Sequence, residues 1–502
     1  MSNLGSFVKN LRDIMRNDPG INGDAQRIEQ IAWLLFLKVY DAKDEEWAME
    51  AEDQGIMYSS IIPEHLKWKN WAAIPKDKEK EAKTDDVLLN FVNNELLPGL
   101  KNITVLPSTP IYQSIVKTTF QDANNYMKDG VLLRQVINVI DSIDFEDYSE
   151  IHAFGEIYEN ILKELQNAGS AGEFYTPRAV TQFMAHMIKP SIKDKMADFA
   201  CGTGGFLTSW LHELENIKGK DISATEAINN SIYGIEKKQF PYMLCVTNML
   251  LHGVKNPEIH LENSLDKDVL DYTDDDCFDV ILMNPPYGGH EKDTIKSHFP
   301  TALATSETAD LFMSVIMYRL KENGRAAVIL PDGFLFGTDN AKVAIKKKLL
   351  EECNLHTVIR MPHSVFAPYT SITTNILFFD KTEPTKETWF YRLDMPEGYK
   401  NFSKTKPMKL EHFEPAIEWW NNREEITEND FYKAKKYTVD ELASRNYNID
   451  LCGYPHEEEE ILPPKELILQ YQEKRASLNA DIDRILGQIT DILGIDLKGD
   501  AE

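Results

Sequence analysis

The stretch FDVILMNPPYGG (Phe278–Gly289) sets four apolar side chains, Val280 to Met283, directly before a polar amide, two prolines, an aromatic ring and two glycines. Prolines have no N–H to give a neighbouring strand, so a buried strand must stop at Asn284. A strand end of this make-up is either a plain proline-rich turn or a device suited to the methylation of a planar amine. The lone pair of such an amine is delocalised into its ring or carbonyl, which makes it a poor nucleophile. The Asn284 side-chain oxygen and the Pro285 carbonyl are natural acceptors for its two hydrogens. Pro285 and Pro286 would hold that carbonyl in one direction, as preorganised electrostatics require. Tyr287 offers a flat face for a base taken out of its stack.

A second group lies upstream. In ADFACGTGGFL (Ala197–Leu207) a short strand is expected to end near Asp198–Ala200. Gly202, Gly204 and Gly205 then let the backbone turn tightly and come close to a ligand. No Lys-Ser/Thr follows, so this is not a phosphate-binding loop, and the spacing is not G-x-G-x-x-G. Alone, such a turn is shared by dinucleotide, nucleotide and S-adenosylmethionine sites. Glu236 in YGIEKK falls at the end of the next predicted strand, where an acid can accept both hydroxyls of a ribose. Asn263 in ENSL follows a further apolar segment and could meet the edge of an adenine ring.

These residues need a sheet to hold them. Short apolar runs alternate with helical stretches from about residue 151 to 400: MADFACGTGG, SIYGIEKK, IHLENSL, FDVILMNPPYGG, GRAAVILPDG and TTNILFFD. That alternation predicts an α/β, Rossmann-like domain with a mainly parallel sheet and helices on both faces. Ligands bind at the carboxyl ends of such strands. The first 150 residues show no such alternation. QRIEQIAWLLFLKVYDAKDEEW (Gln26–Trp47) reads as a buried or partly buried helix, and PKDKEKEAKTDD (Pro75–Asp86) as a solvated charge run. After the acidic, proline-broken YPHEEEEILPPKE (Tyr454–Glu466), residues Leu478, Ile482, Ile485, Leu486, Ile489, Ile492 and Leu493 form one stripe of an amphipathic helix. The expected domains are thus an all-α N-terminal domain (1–150), the catalytic domain (151–455) and a C-terminal helical tail (456–502).

Composition narrows the class. No apolar run approaches the roughly 20 residues needed to span a bilayer, and MSNLGSFVKNLRDIMRNDPG lacks the form of a signal peptide. The five scattered cysteines have no metal-ligand spacing, so a cytoplasmic, reduced chain without a metal site is expected. With 54 Lys+Arg against 81 Asp+Glu, the formal net charge is −27. Proteins that grip nucleic acid alone are usually basic. This chain either acts on a small molecule or relies on a partner for most of its nucleic-acid affinity.

In this order, ADFACGTGGFL and NPPY resemble the cofactor loop and catalytic motif of S-adenosylmethionine-dependent N6-adenine DNA methyltransferases. GEFYTPRAV (Gly172–Val180) looks like that group's additional cofactor-contacting motif. Together with the helical N-terminus, GRAAVILPDGFLFG, MPHSVFAPYTSITTNILFFD and SRNYNIDL (Ser444–Leu451), they are similar to the modification (M) subunits of type I restriction–modification systems. The resemblance covers nearly the whole chain. It implies S-adenosylmethionine surrounded by Gly172, Glu173, Phe174, Tyr175, Thr176 and Pro177 and by Thr203, Gly204 and Gly205. Asp198 would lie near its methionine end and Glu236 on its ribose, while Asn284 to Tyr287 would hold adenine in double-stranded DNA. It also implies assembly of two M subunits with one specificity (S) subunit, and with restriction (R) subunits for cleavage. Delegating sequence reading to S accounts for an acidic chain working on DNA. Phe199 stands where the family commonly has Pro, and Tyr287 where many members have Phe; both keep the required character.

The competing expectations are an NPPY-type enzyme acting on RNA or a protein glutamine, and a cofactor-binding scaffold without activity. An N4-cytosine enzyme more often has Ser in place of Asn284. Cys201 reads as structural, since transfer to an amine needs no thiolate. His186, His252 and His363 read as ordinary polar residues.

Overall fold

The computed structural model describes residues 4–73, 82–143, 158, 176–219, 221–367, 370–403, 405–428, 430–454 and 464–493. Gly172 to Tyr175, most of the charge run Pro75–Asp86, and residues 455–463 of the acidic run lie outside the described residues. The chain divides into two units, Met1–Gly453 and Tyr454–Glu502.

Among the described residues of the larger unit ten strands form one sheet: β1 (Met196–Asp198), β2 (Ile232–Glu236), β3 (Ile259–Leu261), β4 (Phe278–Met283), β5 (Leu320–Pro331), β6 (Asn354–Arg360), β7 (Thr374–Asp380), β8 (Glu387–Arg392), β9 (Ile426–Glu428) and β10 (Phe431–Thr438). Their order is β3-β2-β1-β4-β5-β7-β6-β8-β10-β9. From β3 through β5 all neighbours run parallel. β7 is reversed between β5 and β6, which departs from the 3-2-1-4-5-6 order of dinucleotide-binding sheets. The sheet then extends through β8, parallel to β6, and the antiparallel pair β10 and β9.

β4 shows why the apolar run is continuous. Val280 and Leu282 enter one core cluster, and Ile281 and Met283 the other, because successive side chains of a strand face opposite ways. The first face is covered by helices Arg178–Met187, Gly205–Lys218 and Gln239–Leu251, through Phe183, Leu207, Trp210 and Met243. The second is covered by Thr308–Arg319 and Asn340–Glu352, through Leu311, Ile316, Ile345 and Leu349. A strand buried on both sides has to be apolar throughout.

The N-terminal helices are built around Asp24–Asp53, in which Trp33 to Leu37 are all buried. A helix buried all round is a core element, not a surface one. It packs on Gln239–Leu251, and its side chains belong to the same cluster as the first face of the sheet. The helical segment and that sheet face therefore share one continuous core. Helix Gly130–Asp141 starts where the Asp129 carboxylate accepts the Val131 and Leu132 N–H groups at 2.8 and 3.0 Å.

In the second unit, Pro464–Leu493 is a single helix. Leu478, Ile482, Ile485, Leu486 and Ile489 are all exposed. Among the described residues no helix is long and apolar enough to cross a membrane.

Phe199 has a clear structural role. The Arg319 guanidinium, only 4% exposed, lies 4.2 Å from the centre of its ring, with the Tyr272 and Phe278 rings at 4.9 and 5.1 Å. Arg319 Nε donates to the Asp276 carbonyl at 2.9 Å. A desolvated cation on an aromatic face contributes about 1–2 kcal/mol. Phe199→Leu, which keeps the bulk and removes the ring, should lower stability by about that amount, read as a drop in the urea midpoint at unchanged slope.

Candidate active site

β1 ends at Asp198, β2 at Glu236, β3 two residues before Asn263, and β4 at Met283. Since these strands are parallel, the residues after them share one rim of the sheet. The structure thus collects there, from four separate stretches, most of the residues that could do chemistry.

The turn after β1 depends on glycine. Gly204 has φ +83, and a Cβ on it would come within 3.0 Å of Cys245 Sγ and Met249 Cε. The turn is secured from below by Asn248, whose amide donates to the Thr203 carbonyl at 3.0 Å. It is secured from the side by Arg178, which donates to the Gly205 carbonyl at 2.9 Å and to Thr208 Oγ1. Glu236 faces the same turn. One of its oxygens accepts the Gly202 N–H at 2.9 Å and the other the Lys238 N–H at 2.8 Å.

Asp198 is 2% exposed and accepts the Ala200 N–H at 3.1 Å. Burial, reinforced by the Glu236 charge, pushes its pKa up to about 8. No salt bridge reaches it among the described residues. Cys201, beside it, sits 3.8 Å from Cys245, Sγ to Sγ. The hydrogen bond to Cys245 and burial push its thiol well up, so it stays protonated and is no nucleophile.

At the end of β4, Pro285 is buried, Pro286 exposed, and Asn284 and Tyr287 half-buried. Asn284 Nδ2 donates to Thr176 Oγ1 at 2.9 Å. Asn284 Oδ1 accepts from the Tyr287 hydroxyl. Among the described residues no hydrogen bond reaches the Pro285 carbonyl, so that acceptor is open.

Two of the predicted site residues have protein partners that their spacing does not indicate. Thr176 meets the Asn284 amide. Asn263 spends both ends of its amide within its own turn, on Asp266 Oδ1 at 2.8 Å and the Leu265 N–H at 3.3 Å. Two supporting residues were missed: Asn248, and Ser264, whose buried hydroxyl donates to the Phe199 carbonyl at 2.5 Å and ties the β3 turn to the β1 turn. Polar residues inside otherwise apolar runs were the only available signal. Among the described residues no group of His, Cys, Asp and Glu is arranged to hold a metal ion.

These residues fit S-adenosylmethionine. Asp198 is a buried acid that no salt bridge reaches among the described residues, a setting that suits an ammonium. A Cβ built on Gly202 meets nothing within 4 Å, so the turn is open above. Glu236 is held at the turn by the Gly202 and Lys238 N–H groups. With β7 reversed beside β5, fold and rim together define the class of S-adenosylmethionine-dependent methyltransferases.

Comparison with known proteins is more specific. The N-6 DNA Methylase family model matches residues 149–461, and the HsdM N-terminal domain model residues 4–140. The methylase subunit of the type I restriction enzyme EcoEI from Escherichia coli is 48% identical over 503 residues, covering 99% of each chain. A modification subunit of a type I restriction enzyme from Vibrio vulnificus YJ016 superposes with a TM-score of 0.76 at 38% identity, over 88% of this chain and 93% of that one. A chain solved in a study of type I complex assembly and conformational transition superposes with 0.78 at 32% identity, over 97% and 98%. The chain belongs to the methylase subunits of type I restriction enzymes, within the N-6 DNA methylase family.

The raised Asp198 pKa has a consequence for stability. The unfolded value is near 4, so the folded protein binds the proton more tightly. The stabilisation this provides is complete below about pH 4 and is lost as pH rises through about 8. Asp198→Asn keeps the acceptor for Ala200 and cannot ionise. Its melting temperature should fall less than that of the wild type between pH 5 and pH 9, as followed by circular dichroism.

Proposed function

We infer that this chain transfers the methyl group of S-adenosylmethionine to N6 of adenine in double-stranded DNA. It does so as the modification subunit of a type I complex, two copies joining one specificity subunit and associating with restriction subunits. The observation that carries the reading is the end of β4. An amide and an open carbonyl, beside an aromatic ring, share a rim with a glycine turn and two held acids.

Bound at the β1 turn, S-adenosylmethionine supplies a methyl group made electrophilic by its sulfonium. Asp198 pairs with its ammonium, Glu236 with its ribose hydroxyls, and Gly202 to Gly205 let it approach the backbone. Pro177 and Asn263 would complete its surroundings, with Gly172 to Tyr175, which lie outside the described residues, as further candidates. The Asn284 side-chain oxygen and the Pro285 carbonyl take the two hydrogens of the target amine, which orients the nitrogen lone pair toward the methyl carbon. The Tyr287 ring carries the extruded base on its face. What the protein contributes is alignment and fixed dipoles. The surplus proton of the amine leaves to water, since neither an amide nor a carbonyl is basic enough to keep it.

The test uses the chain co-purified with its specificity subunit, tritiated S-adenosylmethionine, and DNA, RNA or protein acceptors. Label should enter DNA alone. Asn284→Ala should lower the rate at least about 100-fold, the usual cost of losing one preorganised dipole, with cofactor affinity retained in calorimetry. Label in protein alone overturns the DNA reading, and full activity of the variant overturns the role of the amide.

The exposed stripe Leu478–Ile489 supports docking on the specificity subunit, because an apolar face of that length is seldom left in water. Deleting the residues after Pro464 should weaken co-purification with that subunit and leave cofactor binding unchanged.

A further inference from the structure

We propose that Thr176 and the Tyr287 hydroxyl are positioning residues that decide which end of the Asn284 amide faces the substrate amine. The proposal rests on the methyl-transfer reading above and gives Thr176 a role other than holding cofactor.

An asparagine amide is nearly symmetric in shape and opposite in chemistry at its two ends. With the oxygen forward, Asn284 accepts a hydrogen from the substrate amine. Rotated by half a turn, it would set N–H against N–H and repel the same group. A bare Asn-Pro-Pro-Tyr motif does not settle this choice, and the side chain needs partners that do.

The structure supplies one hydroxyl at each end. Nδ2 donates to Thr176 Oγ1 at 2.9 Å, and Oδ1 accepts from the Tyr287 hydroxyl. The two hydroxyls are not equivalent. An alcohol accepts well, whereas a phenol donates better than it accepts. Burial raises the Tyr287 pKa well above the usual phenol value, so its proton stays in place. The rotated amide would rest its NH2 on the poorer acceptor and its oxygen on the poorer donor. Oxygen toward tyrosine and nitrogen toward threonine is therefore the favoured state.

Occupancy by tyrosine does not block the substrate, because a carbonyl oxygen has two lone pairs and the phenol uses one. Thr176 stands 108 residues from Asn284 in the chain and two residues ahead of helix Arg178–Met187, whose Arg178 donates to the Gly205 carbonyl in the first turn of Gly205–Lys218. A phenylalanine in place of Tyr287 would offer the same stacking face and leave the amide oxygen unheld.

The experiment compares Thr176→Val, Thr176→Ser, Tyr287→Phe and the Val/Phe double variant, each in complex with the specificity subunit on duplex DNA carrying its site. Thr176→Val removes only the hydroxyl and should lower kcat about tenfold, the effect of about 1.4 kcal/mol. KM for S-adenosylmethionine should stay within twofold. Thr176→Ser restores the hydroxyl and should recover most of the rate, which a packing role would not allow. Tyr287→Phe should also lower kcat. The double variant should lose less than the product of the two single losses, because both act on one amide. A Thr176→Val variant with raised cofactor KM and normal kcat overturns the proposal and makes Thr176 a cofactor contact. Failure of serine to rescue, or fully multiplicative losses, overturns it equally. Normal methylation by Asn284→Ala would instead overturn the methyl-transfer reading itself, so the two failures are distinguishable.

Discussion

Polar chemistry in this protein begins where a strand can no longer be buried. β4 is packed against apolar clusters on both faces, so no residue from Val280 to Met283 can carry a polar group without leaving it unsatisfied. The first position free of that constraint is Asn284, and two prolines ensure that no further ladder bonds form beyond it. The buried sheet acts as a fixed bench, and the site consists of what its strands set down at one rim. Loops alone hold groups less firmly than a sheet packed on both faces.

The same rim brings two kinds of electrostatics together. On the β1–β2 side lie Asp198, buried and raised to about 8, and Glu236, held by two backbone N–H groups. On the β4 side lie neutral dipoles, an amide and a carbonyl. Carboxyl groups suit a cationic ligand with hydroxyls, and neutral dipoles suit a neutral amine.

Much of the candidate site is legible in short stretches because its logic is local. A glycine turn, an acid at a strand end and Asn-Pro-Pro-Tyr each announce themselves within a dozen residues. What escaped was long-range. Thr176 and Asn284 meet only when helix Arg178–Met187 packs beside the sheet, and no spacing rule predicts that. Asn263 could not be distinguished from a residue that closes its own turn, since both uses favour Asn after a strand. In the fold, the six apolar runs correspond to β1–β5 and β7. β6, β8 and the edge pair β9 and β10 carry His, Thr, Arg, Lys and Glu within their length, which blurs their periodicity. Phe199 read as a filler, and the cation resting on its face comes from a helix over a hundred residues away.

The change of texture near residue 150 marks a boundary of composition, while packing crosses it. Helix Asp24–Asp53 packs on Gln239–Leu251, one of the helices that cover a face of the sheet, and all three belong to a single core. Neither half presents a finished surface at that seam. In evolutionary terms the two halves must be inherited as a pair. A recombination event that joined the helical part of one relative to the sheet of another would have to match a whole interior, not a linker.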